Sequence, residues 1–343
     1  MSYCRLSLVH LSATEVVRSL LKTFSSTIPS RHKSTRFPMT SSERLSQELI
    51  ILLDRAQRIV PPLADDKHKG QAGRIGVIGG SLEYTGAPYF SAISALKVGA
   101  DLVHIFCQQA AAPVIKSYSP ELIVHPLLDS DNALDQIEPW LERLHVLVIG
   151  PGLGKDRAVV QNVIELMRFA TKNNKPLIID ADGLSIIQQH MELIKNYDKA
   201  IITPNAIEFS RLFGSERELL PNRIKILGNG VTILEKGRND KVHISRTTER
   251  IELPTGGSGR RCGGQGDLLS GALATFYYWA LEARDPNPGF IAAFAASFLT
   301  KQCNSYAFRE HGRSMLCSDM IKQIGNVFND FFEPPNTGDD KSN

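Results

Sequence analysis

Short apolar runs bounded by glycine, proline or polar residues recur along the chain and alternate with segments of helical periodicity. Apolar runs of about five residues with such boundaries are typical of strands buried on both faces, whereas helical spacing indicates amphipathic helices. The pattern predicts strands at residues 74–78, 102–106, 122–125, 145–149, 176–180 and 200–203, and helices at 45–59, 88–98 and 156–171. This alternation predicts an α/β fold with a mostly parallel central sheet covered by helices on both faces.

The pattern changes after residue 220. Two apolar runs flank the turn EKGRND, in which Gly237 and Asp240 suit a hairpin, so Lys236 is either a functional cation or a solvated loop residue. The remaining predicted elements are a short helix at 221–227, hairpin strands at 231–234 and 242–245, a strand at 250–253, and helices at 271–279, 290–302 and 318–332.

Polar or glycine residues follow three of the predicted parallel strands. GPGLG occupies residues 150–154, DADG residues 180–183 and TPNAIEF residues 203–209. Because the carboxyl ends of parallel strands lie at one edge of a sheet, these segments are expected to line a single crevice.

Composition excludes several classes of protein. The five cysteines among 343 residues are scattered and lack CxxC spacing, which argues against a disulfide framework and a zinc site. The late apolar stretch at 290–299 is shorter than the roughly 20 residues that a membrane-spanning helix needs. Net charge is +3, but residues 1–42 hold six basic residues and one acidic residue, which leaves −2 elsewhere. We therefore expect no membrane span and no nucleic-acid partner.

Residues 1–42 are basic, serine-rich and almost free of acidic residues, a composition typical of an organelle transit peptide. The alternative is a disordered basic arm. We expect a mitochondrial or other organellar location, with a cytosolic form if translation begins at Met39. The predicted organisation is a leader at 1–42, one domain at 43–332 and a disordered tail at 333–343.

The stretch GSGRRCGGQGDLLS at residues 257–270 carries the clearest chemistry. Its glycines allow the backbone to approach a ligand closely, and the following apolar helix would direct amide N–H groups and a dipole at an anion such as phosphate. Asp267 beside that anion is either a helix cap or a general base that takes a proton from a substrate hydroxyl.

One other glycine segment imitates nucleotide-binding motifs. GPGLGK has Lys155 in place of the third glycine of a dinucleotide fingerprint, and Asp156 stands where a P-loop needs serine or threonine. A Rossmann dehydrogenase is left as a weak alternative, because no hydride-transfer partner is evident.

The segment GRRCGGQGD resembles the ribokinase-like superfamily, in which this loop forms an anion hole and the aspartate is the base in ATP-dependent phosphorylation. KGQAGRIGVIGGSLEYTGAPYFSA, SPELIVHP, GPGLG, IIDADGL, TPNAIEF, EKGRND and RRCGGQGD together, in this order, resemble the ATP-dependent (S)-NAD(P)H-hydrate dehydratase family across residues 45–332. The resemblance implies a ribokinase-like three-layer α/β/α fold. The implied activity is repair of nicotinamide nucleotides, in which ATP phosphorylates the hydroxyl of the hydrated ring and loss of phosphate restores NADH or NADPH.

The resemblance also implies site residues. Asp267 would be the catalytic base. The implied ATP-binding residues are Lys236, Gly237, Arg238, Asn239, Asp240, Gly257, Ser258, Gly259, Arg260, Arg261, Cys262, Gly263, Gly264, Gln265 and Gly266. The implied hydrate-binding residues are Gly152, Gly154, Asn205, Ala206, Ile207, Glu208, Phe209, Ser210, Arg211 and Asp267.

ATP as co-substrate and Mg²⁺ are implied as well, with Mg²⁺ held mostly by nucleotide oxygens and water rather than by a protein metal site. The implied partners are the small-molecule substrates and, functionally, an NAD(P)H-hydrate epimerase, and a homo-oligomer is compatible with the sequence. A small-molecule hydroxyl kinase of the same superfamily is the main alternative. A nucleotide-binding regulatory protein without turnover is disfavoured, because it has no need of Asp267.

The leader generates the first prediction. A fluorescent reporter fused to residues 1–42 should be imported into an organelle, because its basic, acid-poor composition suits import. A chain begun at Met39 should remain cytosolic and active. Fluorescence microscopy checks the first outcome, and a uniformly cytosolic reporter would contradict import.

Overall fold

The computed structural model describes residues 47–214, 220–245, 250–253 and 256–333. The predicted leader and the tail beyond Glu333 lie outside the described residues, so both stay predictions. The chain divides into two units, residues 1–54 and 55–343, with the boundary inside the first helix. The second unit contains every described element after that helix.

The described strands form a single nine-stranded sheet. Their bounds are β1 Arg74–Ile78, β2 Leu102–Phe106, β3 Ile123–His125, β4 Val146–Ile149, β5 Leu177–Ile179, β6 Ala200–Ile202, β7 Thr232–Glu235, β8 Lys241–Ile244 and β9 Arg250–Glu252. The helices of the described ranges are α1 Gln47–Ile59, α2 Gly86–Val98, α3 Ala112–Tyr118, α4 Ala133–Leu141, α5 Arg157–Lys172, α6 Asp182–Gln189, α7 Ala206–Phe213, α8 Leu220–Ile224, α9 Gln265–Glu282, α10 Pro288–His311, α11 Cys317–Lys322 and α12 Ile324–Phe331.

The strand order places a topological switch point between β1 and β4. The order is β3-β2-β1-β4-β5-β6-β7-β8-β9, and neighbouring strands are parallel from β3 to β7. Strands β8 and β9 continue the sheet in antiparallel fashion. Because the order reverses between β1 and β4, the loops that leave these strands diverge and open a crevice at their carboxyl ends.

Helices cover both faces of the sheet. On one face, α9 packs against α2 and α10 and contacts β4 and β5. On the other face, Leu147 and Ile149 of β4 belong to a buried cluster that includes Val163 and Met167 of α5. Side chains alternate between the two faces of a strand, so β4 is apolar throughout because both of its faces are covered.

The fold prediction is confirmed, and every predicted strand lies within one residue of its observed bounds. The single final helix predicted at 318–332 is wrong, because Gln323 separates α11 from α12. The side chain of Gln323 is buried and donates to Glu310 of α10, which fixes the break. Helices α3, α4 and α6 are too short for a clear periodic signal, and α4 contains Pro139.

Across the described residues, the longest and most apolar helices still fall short of what a membrane span requires.

Close packing of α9 on α2 generates a stability prediction. A β-carbon at Gly271 would lie 1.9 Å from the Ser91 carbonyl oxygen, so Gly271→Ala should force the helices apart. We expect the free energy of unfolding to fall by about 1–3 kcal/mol in chemical denaturation, despite the better helix propensity of alanine.

Gly325 of α12 is the matched control, because a β-carbon there would have no neighbour within 4 Å. Gly325→Ala should leave the free energy of unfolding unchanged or slightly higher. Equal losses of stability in the two variants would contradict the packing explanation.

Candidate active site

The first turn of α9 lies at the centre of the crevice. Gly264 is its N-cap residue with φ of 89°, in the left-handed region that favours glycine. A β-carbon at Gly264 would also lie 2.8 Å from the Phe90 ring and 2.9 Å from the Cys317 sulphur. The amides of Gln265, Gly266 and Asp267 follow in the first turn, where N–H groups have no intrahelical partner. These donors and the helix dipole favour an anion.

Asp267 is not the helix cap. It lies three residues after the N-cap Gly264, so the alternative that it merely caps α9 is wrong. Burial and the negative charge of Asp180 raise the pKa of Asp267 to about 8, Lys236 opposes the shift, and Asp182 adds to it. A carboxyl group with such a pKa is suited to proton transfer near neutral pH.

Lys236 and Asp180 form an ion pair at the carboxyl ends of β7 and β5. Lys236 Nζ lies 2.6 Å from Asp180 Oδ1, and the two side chains are 20% and 2% exposed. Burial would lower the pKa of Lys236, but the charges of Asp180, Glu208 and Asp267 and the hydrogen bond to Asp180 together raise it, so the side chain stays positive. The alternative of a solvated loop cation is therefore wrong.

The ion pair lies directly against α9. A β-carbon at Gly266 would lie 3.4 Å from Lys236 Nζ and 3.6 Å from Asp180 Oδ2. The backbone N–H of Lys236 donates to the Pro204 carbonyl, which ties β7 to the loop after β6. The cation thus lies beside the amides of the first turn of α9, where an anion would bind.

The GPGLG loop joins the segments that follow β1, β4 and β5. Gly152 and Gly154 have φ of 62° and 78°. A β-carbon at Gly152 would lie 2.5 Å from the Tyr84 carbonyl oxygen. The Gly154 N–H donates to Asp182 Oδ2 at 3.0 Å. The predicted hydrate residues Gly152 and Gly154 therefore lie within the same crevice as Asp182.

Two of the segments predicted to bind ATP line one cavity of about 510 Å³. The hairpin turn EKGRND contributes Arg238 and Asn239. The loop before α9, which we call the glycine loop, contributes the remaining wall, formed by Gly256, Gly257, Ser258, Gly259 and Arg261. The structure thus brings together two stretches that are about twenty residues apart in the sequence.

Asp240 supports the hairpin turn from inside. Its buried carboxylate accepts hydrogen bonds from the Gly237 N–H at 2.8 Å and the Ser297 hydroxyl at 2.6 Å. Lys301 Nζ lies 3.2 Å from the same carboxylate and donates to the Gly237 carbonyl at 2.6 Å. Asp240 therefore shapes the cavity wall, and its carboxylate is occupied by protein donors.

Hydrogen bonds hold the glycine loop in position. The Ser258 N–H and hydroxyl both donate to Asn304 Oδ1, at 2.7 and 2.6 Å. Asn304 Nδ2 and Gln265 Nε2 donate to the Arg260 carbonyl, and Gln265 Nε2 also contacts the Cys262 sulphur at 3.2 Å. Arg260 Nε is buried without a hydrogen-bond partner in the described part of the chain, so a cationic donor is left for an anion.

The segment Asn205 to Arg211, predicted to bind the hydrate, begins a capped helix in the described fold. Asn205 Oδ1 accepts from the N–H groups of Ile207 and Glu208 at 2.9 and 3.0 Å, and Glu208 Oε2 accepts from the Asn205 N–H at 2.8 Å. This capping box begins α7. Phe209 is buried against Phe213 and His243, whereas Ile207, Ser210 and Arg211 are exposed. Asn205 pairs with Lys236 in an isolated parallel backbone bridge, and the charge of Glu208 helps to raise the pKa of Lys236.

The site also contains residues that sequence reasoning did not assign. Asp180 lies at the end of a predicted strand, but its pairing with Lys236 joins residues 56 positions apart. The other unassigned residues that shape the crevice are Asp182, Phe90, Lys301, Asn304 and Cys317. The sequence signal that could have identified some of these residues is a polar residue at the end of a predicted parallel strand or just beyond it, and Asp180 and Asp182 carry it. No cluster of three or more His, Cys, Asp or Glu residues suited to a metal ion occurs in the described ranges.

Residues 75–326 match the family model described as NAD(P)H-hydrate dehydratase. The chain belongs to this family. A curated relative from Aedes aegypti, an ATP-dependent (S)-NAD(P)H-hydrate dehydratase, is 65% identical over 290 residues, which cover 84% of this chain and 87% of the relative. The Homo sapiens protein of the same name is 51% identical over 296 residues, covering 82% and 84% of the two chains. The family and activity predicted from the seven motifs are confirmed.

Solved structures are similar to this fold as well. An ADP/ATP-dependent NAD(P)H-hydrate dehydratase from Bacillus subtilis, co-crystallised with ATP and Mg²⁺, matches with a TM-score of 0.61 at 20% identity, covering 81% of this chain and 97% of that one. A ribokinase-like superfamily protein from Enterococcus faecalis matches with a TM-score of 0.68 at 22% identity, covering 82% and 95%. These similarities confirm the ribokinase-like α/β fold.

The raised pKa of Asp267 predicts the acid side of the pH profile. A proton acceptor must be unprotonated, so kcat/KM should fall as the pH drops below about 8. Asp182→Asn removes a negative charge that raises this pKa, and the fall should therefore move to lower pH. Asparagine retains an oxygen for the Gly154 N–H.

Asp156→Asn is the matched control, because Asp156 caps α5 by accepting from Ala158 and Val159 and asparagine caps equally well. Its pH profile should match the wild type. A wild-type profile in Asp182→Asn would mean that a group other than Asp267 controls the acid limb.

Proposed function

We propose that Asp267 is the general base of this ATP-dependent (S)-NAD(P)H-hydrate dehydratase. Its carboxylate takes the proton of the hydroxyl on the hydrated ring while the hydroxyl oxygen attacks the γ-phosphorus of ATP, and ADP leaves. The observation that carries this proposal is the position of Asp267 in the first turn of α9, with a raised pKa, beside amide N–H groups and the Lys236 cation.

The groups around Asp267 suit the charge that develops during phosphoryl transfer. The Gln265 and Gly266 amides lie in the first helical turn, and Lys236 Nζ lies beside Gly266. These donors are fixed before the substrates bind, so little reorganisation is needed as negative charge develops on the transferred group. Lys236 keeps its charge at neutral pH because nearby carboxylates, Asp180 foremost, hold its pKa high against the effect of burial.

The nucleotide part of ATP is proposed to lie in the cavity between the hairpin turn and the glycine loop, lined by Arg238, Asn239 and Arg261 among others. Mg²⁺ would be held chiefly by phosphate oxygens and water, where it would neutralise phosphate charge, because Asp180 and Asp182 already accept from Lys236 and the Gly154 amide. Arg260, with its unpartnered Nε, adds a positive group to the same loop.

The hydrated ring is proposed to lie against the backbone of the GPGLG loop, beside Asp267. Departure of phosphate with the bonding electrons, together with loss of a ring proton, restores the double bond of NADH or NADPH. The kinase alternative shares the first step and would stop at the phosphorylated product. The names of the curated relatives favour the complete dehydration.

Two further proposals concern the setting of the enzyme. The leader at residues 1–42 is proposed to direct import, because it is basic and nearly free of acid. An NAD(P)H-hydrate epimerase is proposed as functional partner: a dehydratase limited to the S form, as the relatives are named, needs another activity to convert the R form.

Asp267→Asn tests the base directly. The substitution keeps side-chain size and the amides of the first turn but removes the proton acceptor. Turnover of (S)-NADH hydrate with Mg-ATP, followed by the returning absorbance of the reduced nicotinamide, should fall by about 10²- to 10⁴-fold. ATP affinity, measured by calorimetry, should change little or increase, because a negative charge has been removed near the phosphates.

The same variant should lose activity but gain thermal stability. The folded protein holds the Asp267 proton up to about pH 8, whereas an ordinary carboxyl group loses it near 3.8. Folded wild-type protein therefore loses stability as the pH rises through this range. Asp267→Asn should melt at a higher temperature than wild type, by a margin that grows with pH.

A folded variant that turns over hydrate within a few-fold of wild type would refute the assignment of the base.

A further inference from the structure

Two tyrosines with packed rings, and a third in the loop beside them, lie on one side of the crevice. Tyr84 lies in the loop after β1, Tyr89 near the start of α2, and Tyr118 at the end of α3. The rings of Tyr89 and Tyr118 have centroids 5.1 Å apart, and the Tyr118 hydroxyl lies 2.8 Å from Thr85 Oγ1. We call the surface of Tyr84, Tyr89 and Tyr118 the tyrosine shelf.

The tyrosine shelf is exposed to solvent. Tyr84 is 59% exposed and Tyr118 is 43% exposed, and the neighbouring side chains of Leu82 and Val114 are exposed as well. Contiguous exposed apolar groups mark a binding surface more often than scattered ones do. Tyrosine suits such a surface, since it offers a flat apolar face and a polar tip.

The tyrosine shelf is continuous with the catalytic crevice at two points. Tyr84 abuts the GPGLG loop, since a β-carbon at Gly152 would lie 3.0 Å from the Tyr84 β-carbon. Tyr89 lies next to Phe90, with ring centroids 5.6 Å apart, and Phe90 packs against Gly264, the N-cap of the helix that carries Asp267. A ligand that reaches Asp267 can therefore extend onto the tyrosine shelf.

Of the two substrates, the hydrate is the one that fits this position. The phosphates and body of ATP are assigned to the hairpin turn and the glycine loop, whereas the tyrosine shelf borders the loops after β1 and β4. The hydrated ring is not aromatic and must lie at Asp267. The other end of the dinucleotide carries adenine, a flat base that stacks on aromatic side chains.

We infer that the tyrosine shelf binds the adenine end of the dinucleotide substrate by stacking on Tyr84 and Tyr118, an inference that rests on the proposed function. The tyrosine shelf is then a second anchoring point, remote from the chemistry. It holds the hydrated ring against Asp267 by binding the half of the substrate that does not react.

The test compares a full and a truncated substrate. Hydrated NADH carries the adenylate, and hydrated reduced nicotinamide mononucleotide lacks it but contains the same reacting ring. Tyr84→Ala and Tyr118→Ala should each raise KM for hydrated NADH about tenfold, equivalent to about 1.4 kcal/mol and within the range of base–aromatic stacking. KM for the hydrated mononucleotide should stay within about twofold of wild type.

Conservative and remote variants separate stacking from loop structure. Tyr84→Phe and Tyr118→Phe keep the stacking face and should behave like wild type with both substrates. Phe308→Ala removes an exposed ring of α10 that is not part of the tyrosine shelf, and it should change neither KM.

Three outcomes would overturn the inference. An equal rise in KM for both substrates would mean that the tyrosines only shape the loops, and no rise for either would mean that they bind nothing. Sedimentation showing that the alanine variants lose an oligomeric state present in wild type would identify the tyrosine shelf as a contact between copies of the chain. If wild type turned over neither substrate, the proposed function itself would fail, a result distinct from the first three.

Discussion

The ion pair between Lys236 and Asp180 is the contact on which the geometry of the crevice depends. It joins the end of β7 to the end of β5 and lies against Gly266 in the first turn of α9. Removing one partner of a buried ion pair typically costs about 3–5 kcal/mol, because the other charge is left desolvated. An ion pair of this kind is weak evidence for net stability, so its value here lies in the position of the cation beside the anion-binding amides.

The same ion pair explains how carboxylates coexist with a phosphate site. Asp180 is paired with Lys236, whereas Asp267, through burial and the charges of Asp180 and Asp182, holds its proton to about pH 8. In the free protein near neutral pH, Asp267 thus presents little negative charge to an arriving nucleotide. Once unprotonated, it is a stronger base than an ordinary aspartate, because basicity follows pKa. One arrangement of charges therefore serves both binding and proton transfer.

The sheet is predictable from sequence because its strands are short apolar runs bounded by glycine or polar residues, and all of them begin and end within one residue of the prediction. Motifs likewise identify the segments of the site. What they do not reveal is side-chain pairing between distant segments, such as Lys236 with Asp180 or Ser258 with Asn304. Local patterns also cannot separate roles within a motif: in TPNAIEF, Asn205 caps a helix and Phe209 packs in the core.

Glycines at the switch point allow the loops of the crevice to pack backbone against backbone. A β-carbon at Gly150 would lie 1.9 Å from the Asp180 carbonyl oxygen, and one at Gly79 would lie 2.1 Å from the Pro151 carbonyl oxygen. The backbones after β1, β4 and β5 therefore occupy the space that side chains would otherwise fill. A shift in any one of these loops displaces its neighbour, since closely packed backbone leaves no room for independent movement. Gly152, Gly154, Asp182 and the ion pair of Asp180 are thus packed together in the part of the structure whose charges act on Asp267.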